Sequence, residues 1–442
     1  MIAHQTLGRL VDLAALPAAT LSAEAQAMAR FSLFDWLVCA RAGVGEPVSA
    51  IVRGLVAEEG GRPVATVAGN PAKAPARAAA LANGTTSHAL DYDDTHFAHI
   101  GHLSVGVLPA ALAAGEQAGA SAAAVAEAFL VGAEAACRIG MVLGRGHYER
   151  GFHQTATAGA FGATVAAGRL LGLDRAGMRM AFSLVATRAS GLKSQFGTMG
   201  KPFNAGIAAA NGVEAALLAK AGFVSADDGV GGPQGFVDTH AESADEAAAW
   251  AGPPPGRFLF EDIKYKLHAC CHGTHAMIEA LLAARRAGDL PADAVEAVAL
   301  RTNPRWLRVC DVKAPKTGLE AKFSYALLAA MVMHGVDTAA DGTYTDALTS
   351  DPALVALAGR VTVAGDPAVS DTAAELVLTL AGGRRVALSH DLAAAVPHDV
   401  LAAGLHAKAR ALLGAAEADR LWAAVEDLDR LRAGDLGALL AG

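Results

Sequence analysis

The stretch AAAVAEAFLVGAEAACRIGMVL, residues 122–143, decides the fold class. Its apolar residues recur at helical spacing, Ala and Gly fill the positions between, and Glu127, Glu134 and Arg138 are its only charges. A helix is expected here, too interrupted by charge to span a bilayer and small-residued enough to pack closely. The same pattern continues on both sides, over 23–42, 49–59, 74–88, 106–118, 155–171, 178–192 and 204–221. Gly60-Gly61 and Gly231-Gly232-Pro233 punctuate the joints.

The texture changes near Pro253-Pro254-Pro255. A helix over 274–287 leads to an alternating, strand-like run at 295–302, followed by β-prone runs at 359–364 and 375–380. Gly382-Gly383 then separates the last of these from 385–388, which is a hairpin signal. From Pro397 the chain reads as helix again. The expected fold is mainly α: a large all-helical domain over 1–262, a smaller α+β lid domain over 263–397, and C-terminal helices over 398–442 returning to the first domain.

Composition narrows the function. Hydrophobic residues make up 53% of the 442 and charged residues only 18%, so surplus apolar surface has to be hidden, and a homodimer is expected. The net charge of -8 and the lack of any Lys/Arg block argue against nucleic-acid binding, and no run reads as a membrane span. Five cysteines, with only Cys270 and Cys271 close in sequence, do not make a disulfide framework. The opening MIAHQTLGRLVDL lacks the features of a signal peptide, so a cytoplasmic protein is expected.

Four segments carry chemistry. In the first, Asp91-Tyr92-Asp93-Asp94-Thr95-His96 is followed by His99 and His102. An apolar setting raises carboxylate pKa values and imidazoles lower them, so this cluster can hold acid and base forms together near neutral pH. The plain alternative is a solvated loop with an Asp capping the next helix. In the second, Gly151 and Thr155 flank His153 and place it at a helix start, which suits a bound anion. The third, Phe196-Gly197-Thr198-Met199-Gly200-Lys201-Pro202-Phe203-Asn204-Ala205-Gly206, is a Gly-rich turn running into a helix, whose backbone N–H groups, helix start, Thr198 and one ammonium could cradle a carboxylate, though it is not a P-loop. The fourth runs from Lys264 to His275 and contains Lys266, Cys270-Cys271, Thr274 and His275. Adjacent cysteines rarely ligate one ion, so anion contact by Lys266 and by the helix start at Thr274 and His275 is expected over zinc. With no GxSxG, HExxH or dinucleotide fingerprint, what remains is acid/base chemistry on an anionic substrate without metal or cofactor. A metal-binding role for the histidine-rich 96–102 and 268–275 segments is the competing reading.

Taken in order, these segments resemble the MmgE/PrpD family, which includes 2-methylcitrate dehydratase, cis-aconitate decarboxylase and iminodisuccinate epimerase. The matching pieces are Asn83-Gly84 through His88, Asp91 to Thr95, His102-Leu103-Ser104 leading to Leu108-Pro109, and Gly151-Phe152-His153. Gly197 to Pro202, Lys266 with Cys270-Cys271 and Gly273-Thr274-His275, and Glu320-Ala321-Lys322-Phe323-Ser324 follow. The resemblance implies a helical domain plus a lid domain, a homodimer, and an active site between the domains. The decarboxylase-type residues would fall on Asp91, Thr95, His102, His153, Lys201 and Lys266. The family's further tyrosine position is Leu327 here, with Tyr325 nearest, and the loop from Thr95 to His102 is one residue longer than in the decarboxylase. Gly146-His147-Tyr148 and the Gly-Thr-Met-x-Lys-Pro form look closer to the epimerase-like branch.

The resulting expectation is a lyase or isomerase working on a small di- or tricarboxylate, dehydratase-like or epimerase-like, with decarboxylase-like activity or a catalytically silent metabolite binder as alternatives. Asp91, His102, His153, Lys201 and Lys266 would be catalytic, and Thr95, Thr155, Thr198, His275 and Tyr325 would contact substrate.

Overall fold

Small side chains set how closely the helices of this protein approach. In the computed structural model, residues 5–288 and 294–442 are described, so residues 1–4 of the amino-terminal segment read above lie outside them. The chain divides into two compact units, Met1–Tyr265 with Ala415–Gly442, and Lys266–Gly414. It is mainly α with a small α+β part, as expected.

The first unit is built on four buried helices: Ala76–Ser87, Ser104–Ala118, Gln154–Leu170 and Gly200–Lys220. Their shared core is largely methyl groups, among them Ala79, Ala80, Ala110, Ala163 and Ala209. Each methyl contributes only about 0.8 kcal/mol on burial, so the gain comes from many close contacts rather than a few large side chains. Glycine allows the closest crossings. A Cβ on Gly84 would lie 2.8 Å from Gly206 Cα, which fixes the crossing of Ala76–Ser87 with Gly200–Lys220. Likewise a Cβ on Gly132 would lie 2.5 Å from the Gly162 carbonyl, and one on Gly162 the same distance from the Gly132 carbonyl. That crossing joins Gln154–Leu170 to the long helix Ala122–Arg150.

The 122–143 reading holds with one extension. Ser121 caps the helix by accepting from Ala124 N, helical geometry breaks at Gly144 (φ 66°), and a further short piece runs on to Arg150. Two other expectations need correcting. The helix read over 178–192 spans Arg175–Ala186 and ends at its C-cap Thr187; Gly191 (φ 157°) lies outside it. The helix read from 204 begins at Gly200, which puts Lys201 in its first turn rather than in the turn before it. No helix among the described residues is long and apolar enough to cross a membrane.

The second unit carries a four-stranded sheet in the order Val361–Gly365, Val295–Thr302, Ala373–Leu380, Arg385–Asp391. The first pair is parallel and the others antiparallel. The hairpin at Gly382-Gly383 forms, with both glycines at positive φ as such a turn requires. Helix His275–Arg286 covers the last two strands, and the largely buried Tyr325–Met333 completes the core. Helix His398–Leu413 belongs to this unit, and the chain re-enters the first unit only at Ala415.

Candidate active site

Helix Ala76–Ser87 ends at His88, and the chain enters a loop that runs to the next helix at Ser104. The turn closes when Asp91 N donates to His88 O (3.1 Å), with Asp91 held at φ 52°. This region was open to reading as a solvated loop, yet Asp93, Asp94, His96, His99 and His102 are all buried.

The three neighbouring carboxylates have three different jobs. Asp94 caps the helix: its Oδ1 accepts from Ser104 N (3.1 Å), and Oδ2 contacts the Ser104 hydroxyl. Burial, with Asp93 and Asp35 nearby, pushes its carboxyl up to about 7. Asp93 lies between two imidazoles, with Oδ1 2.7 Å from His88 Nδ1 and Oδ2 2.7 Å from His102 Nδ1. The first contact is a hydrogen bond. The second is an ion-pair contact as short as the first, and neither of its two atoms has a hydrogen-bond partner among the described residues. Burial would raise the Asp93 carboxyl, but the two imidazoles outweigh it and hold it well below the usual range, so Asp93 is an anion. Asp91, a third exposed, sets Oδ1 2.6 Å from Lys201 Nζ and 3.5 Å from His102 Nε2.

His102 is anchored a second time, through its backbone N–H donated to Thr155 Oγ1 (3.0 Å). Burial lowers its pKa to about 4 despite the pull of Asp93, so the ring is neutral at pH 7. With Nδ1–H turned to Asp93, the basic lone pair is at Nε2, on the side of Asp91 and Lys201. His153 is the N-cap residue of Gln154–Leu170; its N–H donates to Gly191 O (3.0 Å), and its ring meets the edge of Phe196. The Asn204 amide donates to His153 Nδ1 (3.2 Å), which leaves the ring proton at Nε2. Burial, with His88 and Lys201 adding to it, lowers the His153 pKa well below 6.5. Two neutral imidazoles thus lie near the Asp91–Lys201 pair.

The structure brings Asp91, His102, His153 and Lys201 together as expected of one site. Thr155 is fully buried, with its hydroxyl spent on the His102 backbone. Thr198 is exposed, and its hydroxyl shapes the turn by donating to Gln195 O (2.8 Å) and accepting from Gly200 N (3.1 Å). Thr95 pairs through its backbone with Lys264. Lys266, His275 and Tyr325 belong to the second unit. There Lys266 is buried, the His275 ring meets His268 edge-on and lies tilted against His272, and the Tyr325 hydroxyl donates to Gly273 O (2.8 Å) inside the core. Leu327 is buried in the same helix.

His88, Asp93 and Asn204 complete the cluster; all three lie in stretches quoted from the sequence, but none was named there as a site residue. The available signal was the apolar setting itself: a buried carboxylate needs donors, and His88 and His102 both lie within ten residues of Asp93. As for metal, atoms of His88, Asp91, Asp93 and His102 lie within 4.8 Å of one another, a donor set that could ligate an ion. To bind, it would have to displace Lys201 from Asp91 and open both Asp93–imidazole contacts. His96 and His99 direct a ring nitrogen at backbone carbonyls, of Leu259 (2.7 Å) and Ala136 (3.1 Å), and thereby pin the loop.

Two family models match the chain, the MmgE/PrpD N-terminal domain over residues 12–248 and the MmgE/PrpD C-terminal domain over 268–430. The chain belongs to the MmgE/PrpD family. Among its relatives, the cis-aconitate decarboxylase-like protein oryM of Aspergillus oryzae is 30% identical over 271 residues, covering 57% of this chain and 56% of the relative. Cis-aconitate decarboxylase of Aspergillus terreus is 31% identical over 272 residues (57% and 54%). The Homo sapiens cis-aconitate decarboxylase is 27% identical over 282 residues (61% and 58%). The chain thus spans little more than half the length of the curated relatives it matches.

Proposed function

We propose that this protein is a cofactor-independent lyase acting on a small di- or tricarboxylate, with a cis-aconitate-like substrate the first to test. The observation that carries the reading is His102, whose Nδ1 lies 2.7 Å from Asp93 and whose Nε2 lies 3.5 Å from Asp91, the carboxylate that also meets Lys201. Lys201 supplies the cation for a substrate carboxylate, which would compete with Asp91 for the ammonium. His102 then removes or delivers a proton at the carbon next to that carboxylate, and the His153 N–H stabilises charge or returns a proton. The decarboxylase relatives support loss of CO2 as the outcome; the same two groups would serve water loss.

Epimerisation is a second reading. It needs a base on one face of a carbon and an acid on the other, and His102 and His153 present those two forms. Proton NMR of the protein with cis-aconitate and a panel of tricarboxylates, citrate-like tricarboxylates and amino-dicarboxylates separates the outcomes. Decarboxylation gives a new methylene pattern with CO2 release, dehydration gives an alkene signal, and epimerisation gives a diastereomer. Saturable binding with no change in any substrate would refute the enzymatic reading and favour a silent metabolite binder.

A further inference from the structure

Asp93 is a buried carboxylate that the proton-transfer scheme above does not use directly, yet each of its oxygens lies 2.7 Å from the Nδ1 atom of a different histidine. We infer that Asp93 is a positioning residue that fixes His88 and His102 in the same tautomer, proton on Nδ1 and lone pair on Nε2, so that one buried anion orients two bases. The inference deepens the proposed function and rests on it for its catalytic meaning, but its structural content stands alone.

The reason is the chemistry of the acceptor. An ionised carboxylate can only accept, at both oxygens, so any ring nitrogen facing it must carry the hydrogen. The rings lie beside one another, 4.5 Å between centroids, and are tilted by 60°. A lone pair on either Nδ1 would face a buried anion, which is repulsive and leaves the carboxylate unsatisfied. His88 Nε2 is buried, and it has no hydrogen-bond partner among the described residues. A second buried imidazole with an uncommitted Nε2 is therefore held by the carboxylate that orients His102. Its ring lies 6.3 Å from that of His153, so the three rings form one cluster.

Asp93→Asn tests this with little change of shape. An amide accepts at oxygen but donates at nitrogen, so it can satisfy only one Nδ1–H, and the ring facing its nitrogen must move its proton to Nε2. Nitrogen-15 histidine NMR reads tautomers directly, with His88→Gln and His102→Gln assigning the two signals. In the native chain at pH 7 both rings should be Nδ1–H. In Asp93→Asn one of them should become Nε2–H, and kcat should fall about 10³-fold or more with KM changed by less than about threefold, the pattern of a misplaced catalytic tautomer. Either ring found as Nε2–H in the native chain would overturn the inference, whether or not the variant folds. So would unchanged tautomers in Asp93→Asn, or kcat within tenfold of native. If no polycarboxylate turns over, the proposed function fails, while the tautomer measurement still decides the role of Asp93.

Discussion

Replacing Gly84 with Ala probes the crossing on which the site is built. The added Cβ would lie 2.8 Å from Gly206 Cα and 3.0 Å from both Ala205 O and Gly206 N. All three are backbone atoms, so no side chain can swing away; ordinary contact needs the two helices to separate by roughly 0.5 Å or more. Overpacking of this kind costs about 1–3 kcal/mol, against which the better helix propensity of Ala returns about 1 kcal/mol. The net loss should be up to about 2 kcal/mol. Gly54, on the exposed face of helix Pro47–Glu59, has nothing within 4 Å of its would-be Cβ. Gly54→Ala should therefore stabilise by up to about 1 kcal/mol. Urea unfolding followed by far-ultraviolet circular dichroism should place the two variants on opposite sides of the native midpoint. The effect should reach the site as well, because one helix ends at His88 and the other starts at Gly200, next to Lys201. A displacement of this size should lower kcat/KM about tenfold or more. Gly84→Ala unfolding at the same urea concentration as Gly54→Ala, or a higher one, would refute the close crossing.

Other outcomes follow from the same geometry. His153→Ala and Lys201→Ala should each lower kcat/KM by about a hundredfold or more while leaving the fold intact, and near-native turnover would remove that residue from the site. Acid should destabilise the protein: burial holds His102 and His147 at about 4 and His99 at about 3, whereas unfolded imidazoles titrate near 6.5. The unfolded chain therefore takes up three more protons from these groups as pH falls from 6.5 toward 4, against one that the folded state gains at Asp94, so stability present above pH 6.5 is lost across that window. The Tm should drop steadily between pH 6.5 and 4.5, and a flat profile would contradict the buried neutral imidazoles. A homodimer is expected from the exposed apolar residues Ile51, Leu192, Met199, Phe223 and Val224; sedimentation as a 44.7 kDa monomer at micromolar concentration would contradict it.

The helices were legible because their small-residue pattern is long and strongly periodic, and the hairpin at Gly382-Gly383 because two glycines mark the turn. The hairpin Ala65–Val67 with Asn70–Ala74 was missed: its strands are short and Ala-rich, and Pro71 counts against a strand. The parallel pairing of Val361–Gly365 with Val295–Thr302 leaves no local trace, since a period of two is the same in either direction. In the site, residue type together with the family resemblance marked Asp91, His102, His153 and Lys201. Which of three adjacent carboxylates would cap a helix, hold two imidazoles or meet a lysine is decided by where the loop folds, so Asp93 and His88 were not named as site residues. Asn204 was hidden for the same reason: its partner, His153, lies 51 residues away.

The most direct measurement runs the reaction in deuterium oxide and locates the label. The native protein with a reactive polycarboxylate should place one solvent deuterium at the carbon next to a carboxylate, and His102→Gln should lose that incorporation while still binding the ligand. Deuterium incorporation by His102→Gln at the native rate, or a native decarboxylation product free of label at that carbon, would contradict proton transfer through His102.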